Sequence, residues 1–275
     1  MPRKADPTTK RVWALPPLPE RRPDSHKGDY GRVLVVAGSL GMAGAAYLAS
    51  KGALRAGAGL VTCACAETIR PALTAKFTCV MTASLPVPPS VLESADVLCV
   101  GPGMGRSEET SRLVRSLLIG TSRPVVVDAD ALAAAPLDGL RGRAVLTPHP
   151  GEMAALIGST PAKVQADRKG VAKAFAEAHG VVLVLKGHGT VVTDGLRVAV
   201  NETGNPGMAT AGTGDVLSGV IAGLMAQGMA PFEAARLGVH LHGMAGDLAA
   251  KVKGMHSMTA VDLLECLSEA FLRCR

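Results

Sequence analysis

The stretch Val33-Leu-Val-Val-Ala37 runs straight into Gly38-Ser-Leu-Gly-Met42 and then into Ala43-Gly-Ala-Ala-Tyr-Leu-Ala-Ser50. Five consecutive apolar residues, three of them β-branched, read as a strand covered on both faces, because a half-exposed strand would alternate. The glycine-rich turn and the Ala/Leu-rich segment after it, Ala43 to Ala56, complete a strand–turn–helix unit. The pattern recurs along the chain. Leu60 to Cys65, Val97 to Gly101, Pro124 to Asp128, Ala144 to Thr147 and Val181 to Lys186 are further strand candidates. Glu108 to Ile119 and Pro161 to His179 read as helices, the second capped by Thr160 with Pro161 at its first position. This alternation predicts an α/β fold with a mainly parallel central sheet and helices on both faces.

Towards the C-terminus the pattern changes. Thr190 to Asp194 and Arg197 to Val200 flank Asp194-Gly195 as a hairpin. Three helices follow, over approximately Gly214 to Gln227, Pro231 to Lys251 and Thr259 to Leu272. Residues 1–25 read as a basic, proline-containing segment and 26–275 as one domain.

Composition removes several classes of function. Of 275 residues, 48% are hydrophobic and 19% charged, which excludes general disorder. Only 3% are aromatic, too few for the stacking platforms of single-stranded nucleic-acid binders, so no nucleic-acid partner is expected. The net charge is +6, but residues 1–32 hold eight basic and four acidic side chains and so carry +4 of it. Arg3, Lys4, Lys10, Arg11, Arg21 and Arg22 then read as a solvated tail. The six cysteines have no zinc-ligand spacing and read as reduced core residues of a cytoplasmic protein. Val33 to Ser50 and Val216 to Phe232 are free of charge, but Gly, Ser and Gln interrupt them, so no membrane span is expected.

The most informative segment for chemistry is Asn205-Pro-Gly-Met-Ala-Thr-Ala-Gly-Thr-Gly-Asp215, which enters an apolar helix. Glycines at 212 and 214 let a ligand approach the backbone, and a helix start aims free N–H groups and a positive dipole end at it. That is an anion site, suited to a phosphate gathering charge in a transition state. Asp215 is placed to accept the proton of a hydroxyl attacking phosphorus. Alone, the segment is equally a tight turn followed by a first-turn acid. It lacks the Gly-Lys-Ser/Thr of a Walker A loop, and the first βα turn lacks GxGxxG spacing.

Four more clusters follow, three at strand ends, where open α/β sheets bind ligands, and the last joining two strands. Gly101-Pro-Gly-Met-Gly105 is either a tight connection or a backbone cradle. Val127-Asp-Ala-Asp130 offers a carboxylate to Mg²⁺ through water, or Asp130 as a helix cap. Thr147-Pro-His-Pro-Gly-Glu152 presents His149 and Glu152 on a rigid turn. Lys186-Gly-His-Gly-Thr190 suits nucleotide phosphates, or is an ordinary hairpin. His240 and His242 are two apart on a helix, face different ways and read as structural.

Taken in order from His26 onward, GSLGMAGAA, GPGMG, DADAL, LTPHPGE, LKGHGT and NPGMATAGTGD resemble the ribokinase-like superfamily and, within it, the ADP/ATP-dependent NAD(P)H-hydrate dehydratases. The resemblance spans some nine-tenths of the chain. It implies phosphorylation of the 6-hydroxyl of hydrated NADH or NADPH (NADHX or NADPHX), then loss of phosphate to restore the ring. ADP is the implied donor, giving AMP, with ATP the alternative, Mg²⁺ the cofactor and the S epimer the substrate.

Matched by motif, the resemblance implies Asp215 as general base, with Gly212, Thr213 and Gly214 forming the anion hole. Lys186, Gly187, His188, Gly189 and Thr190 hold the AMP portion, which Gly214 also borders. Ala45, Gly103, His149 and Asp215 contact the hydrated cofactor. Glu152 orders a Mg²⁺ water shell, since His149-Pro-Gly-Glu152 is similar to the Asn-x-x-Glu element of related kinases. Relatives mostly carry Gly-Gly-Thr-Gly-Asp, whereas Ala211 stands first here; a positive φ at that position would cost alanine about 1–2 kcal/mol. The family also implies a homotetramer. The chain leaves no room for an epimerase domain, so a separate NAD(P)HX epimerase is expected. The competing readings are a small-molecule alcohol kinase of the same fold, whose product keeps its phosphate, and a nucleotide-binding regulator without catalysis.

Overall fold

A computed structural model describes residues 10–11 and 14–274. The strands are β1 (Lys10–Arg11), β2 (Arg32–Val36), β3 (Leu60–Cys65), β4 (Met81–Ser84), β5 (Val97–Val100), β6 (Val125–Val127), β7 (Ala144–Leu146), β8 (Val182–Leu185), β9 (Val191–Thr193) and β10 (Arg197–Val200). The helices are α1 (Ala43–Arg55), α2 (Arg70–Lys76), α3 (Pro89–Ser94), α4 (Glu108–Ile119), α5 (Pro150–Leu156), α6 (Pro161–Ala166), α7 (Arg168–His179), α8 (Thr213–Ala226), α9 (Pro231–Lys253) and α10 (Ala260–Arg273).

One ten-stranded sheet runs in the order β1-β10-β9-β8-β7-β6-β5-β2-β3-β4. Only β9 is antiparallel to its neighbours, so the sheet is mainly parallel as its apolar runs predict. Alternate residues of each strand feed two cores. Val33 and Val35 of β2 pack with α1, α8, α9 and α10, while Leu34 and Val36 pack with α4, α5, α6 and α7. The chain lays β2, β3 and β4 outward, then returns to place β5 on the other side of β2. The loops after β2 and β5 therefore flank a topological switch point, where such sheets bind ligands.

Helix α8 is the buried axis of one layer. It lies so close to α1 that a β-carbon on Gly219 would stand 2.0 Å from the Ala49 carbonyl oxygen. Only glycine permits this approach, and it fixes where the helix begins.

One expectation needs correction, and two features go beyond the sequence reading. The segment 161–179 is two helices, because Asp167 turns the chain and accepts a hydrogen bond from the Gly170 amide at 3.0 Å, starting α7 afresh. Strand β4 carries the weak pattern Met-Thr-Ala-Ser and gave no sequence signal. Arg21 is exposed, as a solvated tail implies, but it also has partners: its guanidinium stacks 3.7 Å from the Tyr30 ring centre and donates to the Gly57 carbonyl. Arg3 and Lys4 lie outside the described residues. No helix among the described residues is long and apolar enough to cross a membrane.

Candidate active site

The C-terminal ends of β5 to β8 open on one rim, and the first turn of α8 faces them. Gly212 is the N-cap with φ +93°, and a β-carbon there would stand 2.4 Å from Leu48 Cδ1, so the position demands glycine twice over. Ala211 is absent from the positive-φ residues, so the alanine that departs from the family pattern sits in backbone it adopts without strain. The turn is pinned from below and from the side. Thr213 Oγ1 donates towards Met208 O at 3.0 Å and Thr210 O at 3.1 Å. Burial lowers the His242 pKa to about 4, so the neutral ring donates from Nε2 to Thr213 O at 2.8 Å. Asp247 of α9 accepts from Gly204 N at 2.9 Å and Asn205 Nδ2 at 3.0 Å, anchoring the preceding loop. The amides of Thr213, Gly214 and Asp215 have no partner within the helix and are left for an anion.

Lys186 leaves the end of β8 and reaches this turn. Its Nζ donates to Asp128 Oδ1 at 2.8 Å, lies 3.9 Å from Glu152 Oε2, and is 3.4 Å from where a β-carbon on Gly214 would be. Asp128 is 1% exposed, and its other oxygen accepts from Ser218 Oγ of α8 at 2.5 Å. Burial pushes the Asp128 carboxyl up, but the Lys186 charge and the hydrogen bonds from Lys186, Ser218 and Thr147 outweigh it and hold the group ionised. Burial likewise opposes the charge on Lys186, and Asp128 and Glu152 restore it.

Asp215 is half-buried in the first turn of α8, and no donor among the described residues hydrogen-bonds its carboxylate. Burial, then the charges of Asp128 and Asp130 against the relief given by Lys186, raise its pKa to about 7. A carboxyl that takes and gives a proton near neutrality is suited to general base catalysis.

The remaining expected residues fall around this centre. Ala45 and Gly103 meet across the switch point: a β-carbon on Gly103 would touch the Ala45 methyl at 2.8 Å, and Ser39 Oγ donates to Gly103 O at 2.9 Å. His149 is the N-cap of α5, its Nδ1 accepting from Gly151 N and Glu152 N, while Glu152 Oε2 accepts from His149 N at 2.8 Å. The turn thus has a structural capping role beside any contact with ligand. In the β8–β9 loop, Thr190 Oγ1 donates to Gly187 O at 2.9 Å, and His188 is exposed. Arg168 donates to Leu185 O at 2.9 Å and Lys186 O at 3.2 Å, holding the start of that loop. Asp128 is enclosed by Lys186 and Ser218, and Asp130 caps no helix but accepts from Gly105 N and Arg106 Nε. Sequence reasoning missed Ser218, Asp247 and Arg168; a lone hydroxyl three residues after Asp215 in an apolar helix was the one available signal.

A mainly parallel α/β sheet, glycine-rich loops at its switch point and a first-turn acid beside a helix-terminal anion site define the ribokinase-like class. A crystal structure of an ADP/ATP-dependent NAD(P)H-hydrate dehydratase from Bacillus subtilis, co-crystallised with ATP/Mg²⁺, superposes with TM-score 0.83 at 31% identity, over 94% of this chain and 95% of that one. The carbohydrate kinase family model, described as NAD(P)H-hydrate dehydratase, matches residues 33–269, and the chain belongs to that family. It is 50% identical over 276 residues to a bifunctional NAD(P)H-hydrate repair enzyme of Moorella thermoacetica, covering 93% of this chain and 52% of the relative. It is 41% identical over 254 residues to an ADP-dependent (S)-NAD(P)H-hydrate dehydratase of Neisseria meningitidis serogroup B, covering 86% and 82%. The chain spans about half the length of the bifunctional repair enzymes it matches.

Proposed function

We propose that the chain is an ADP-dependent (S)-NAD(P)H-hydrate dehydratase. Asp215 takes the proton of the 6-hydroxyl, and the oxygen attacks the terminal phosphorus of ADP, releasing AMP. The first-turn amides of Thr213, Gly214 and Asp215 and the Lys186 ammonium stabilise charge on the transferred group. Phosphate then leaves carbon 6, pushed out by the ring nitrogen, and loss of the proton on carbon 5 restores the double bond. Phosphate departs far more readily than hydroxide, which is why a kinase-like site yields a dehydration. The observation that carries the reading is Asp215 with its pKa at about 7 beside the first-turn amides and Lys186.

No grouping of three acidic, His or Cys side chains suited to a metal occurs among the described residues. Glu152, whose side chain is 10% exposed and lies 3.9 Å from Lys186 Nζ, is a carboxylate that would touch through water a Mg²⁺ ion carried by nucleotide phosphates. Bound there, Mg²⁺ would neutralise phosphate charge. Six free cysteines support a reducing, cytoplasmic setting, and an epimerase would supply the S form.

The test is product stoichiometry. Incubated with Mg²⁺, ADP and hydrated NADPH, the protein should release one AMP and one phosphate for each dihydronicotinamide restored. A phosphorylated product that persists would replace this reading with the small-molecule alcohol kinase.

A further inference from the structure

The loop that follows β5 carries a feature the reaction above does not use. Asp130, 16% exposed, clasps the loop at two points, accepting from Gly105 N at 2.9 Å and Arg106 Nε at 3.1 Å. Arg106 is thereby tethered through Nε while the side chain stays 68% exposed. Neither of its terminal nitrogens has a hydrogen-bond partner among the described residues. The acids that follow do not take the fork, since Glu108 pairs with Arg112 at 3.5 Å. A guanidinium fixed at Nε presents its outer edge as a preformed pair of donors, the geometry that matches two oxygens of a phosphate.

Its position is at the substrate crevice. Gly103, two residues before Asp130's first contact, packs on Ala45 and Met42 across the switch point. Asp130 is also close enough to Asp215 for its charge to be felt there. The centre itself is acidic: Asp128, Glu152 and Asp215 act on Lys186, whose charge is matched by Asp128, and the charge of Asp130 is felt at Asp215. An anionic dinucleotide entering such a crevice needs a cation at the rim.

We propose that Arg106, held by Asp130, binds a phosphate group of the dinucleotide substrate. The inference rests on the proposed dehydratase reading, and it assigns Arg106 to the hydrated cofactor rather than to the phosphoryl donor. Two phosphates share this chemistry, the pyrophosphate common to both hydrated cofactors and the 2′-phosphate that only the NADPH form carries.

The experiment measures KM and kcat of the wild-type protein, Arg106→Gln and Arg106→Lys with hydrated NADH, hydrated NADPH and ADP as varied substrates. Arg106→Gln should raise the dinucleotide KM about 10-fold, the size expected for losing a charge-assisted pair of hydrogen bonds, with kcat and the ADP KM within about twofold. Arg106→Lys should restore part of the loss. A rise with both hydrated cofactors assigns the pyrophosphate, and a rise with the NADPH form alone assigns the 2′-phosphate. Unchanged dinucleotide KM values, or a rise confined to ADP, would overturn the inference. Failure of the wild-type protein to turn over either cofactor would instead overturn the reading on which it rests.

Discussion

Lys186 and Asp128 are 58 residues apart in the chain, and their side chains meet at 2.8 Å beside the first turn of α8. Asp128 is buried and Lys186 half-buried, and Ser218 ties the same carboxylate to the helix that carries Asp215. The site is therefore a charge network in which one cation serves three acids, Asp128, Glu152 and Asp215.

The Lys186→Met variant leaves the buried Asp128 without its cation. Stability should fall by about 3–5 kcal/mol, the usual cost of breaking one side of a buried pair. The double variant Lys186→Met/Asp128→Asn should regain most of the melting temperature without regaining activity. Thermal unfolding and turnover of the two variants check this; a single variant as stable as wild type would contradict the pairing.

Asp215 must be ionised to accept a proton. With its pKa at about 7, kcat/KM should rise with pH through about 7 and fall about tenfold per unit well below it. An acidic limb near pH 4 would show that an ordinary carboxyl, or none, controls the step.

The same pKa makes Asp215 a stability cost. A carboxyl raised from 3.8 to about 7 binds its proton more tightly in the folded state, so its contribution is fullest below pH 4 and is lost as pH rises to about 7. Asp215→Asn, neutral throughout, should match wild type near pH 4 and melt about 2 °C or more higher above pH 7. It should still bind nucleotide. Equal melting temperatures at both pH values would refute the perturbed pKa.

Ala211→Gly should leave turnover within about twofold, because Ala211 adopts ordinary backbone. Gly212→Ala should abolish most activity, since φ +93° and the approach of Leu48 leave no space for a methyl group. Steady-state kinetics of the two variants separate these positions.

Much of this was legible beforehand, and what was not has physical causes. Apolar runs such as Val33–Ala37 and Val181–Lys186 place strands because a doubly covered strand needs them, and Gly-Thr-Gly-Asp215 marks a helix start through its glycines. The partnership of Lys186 with Asp128 was hidden, because a motif states which residues are adjacent in sequence and not where a long side chain reaches. Lys186 reads as part of a nucleotide loop, yet its ammonium turns into the centre while Gly187 to Thr190 continue past it. The break at Asp167 was masked by the favourable helix start at Thr160-Pro161. The anchoring of the α8 turn by His242 and Asp247 joins segments 29 and about 40 residues apart, which no local pattern encodes.

The most direct measurement is recovery of dihydronicotinamide absorbance from hydrated NADPH shown to contain the S epimer, with Mg²⁺ and the wild-type or Asp215→Asn protein. The account predicts recovery by wild type only when ADP or ATP is added, with Asp215→Asn slower by about 100-fold or more. Absence of recovery with either nucleotide, or equal rates for the two proteins, would contradict it.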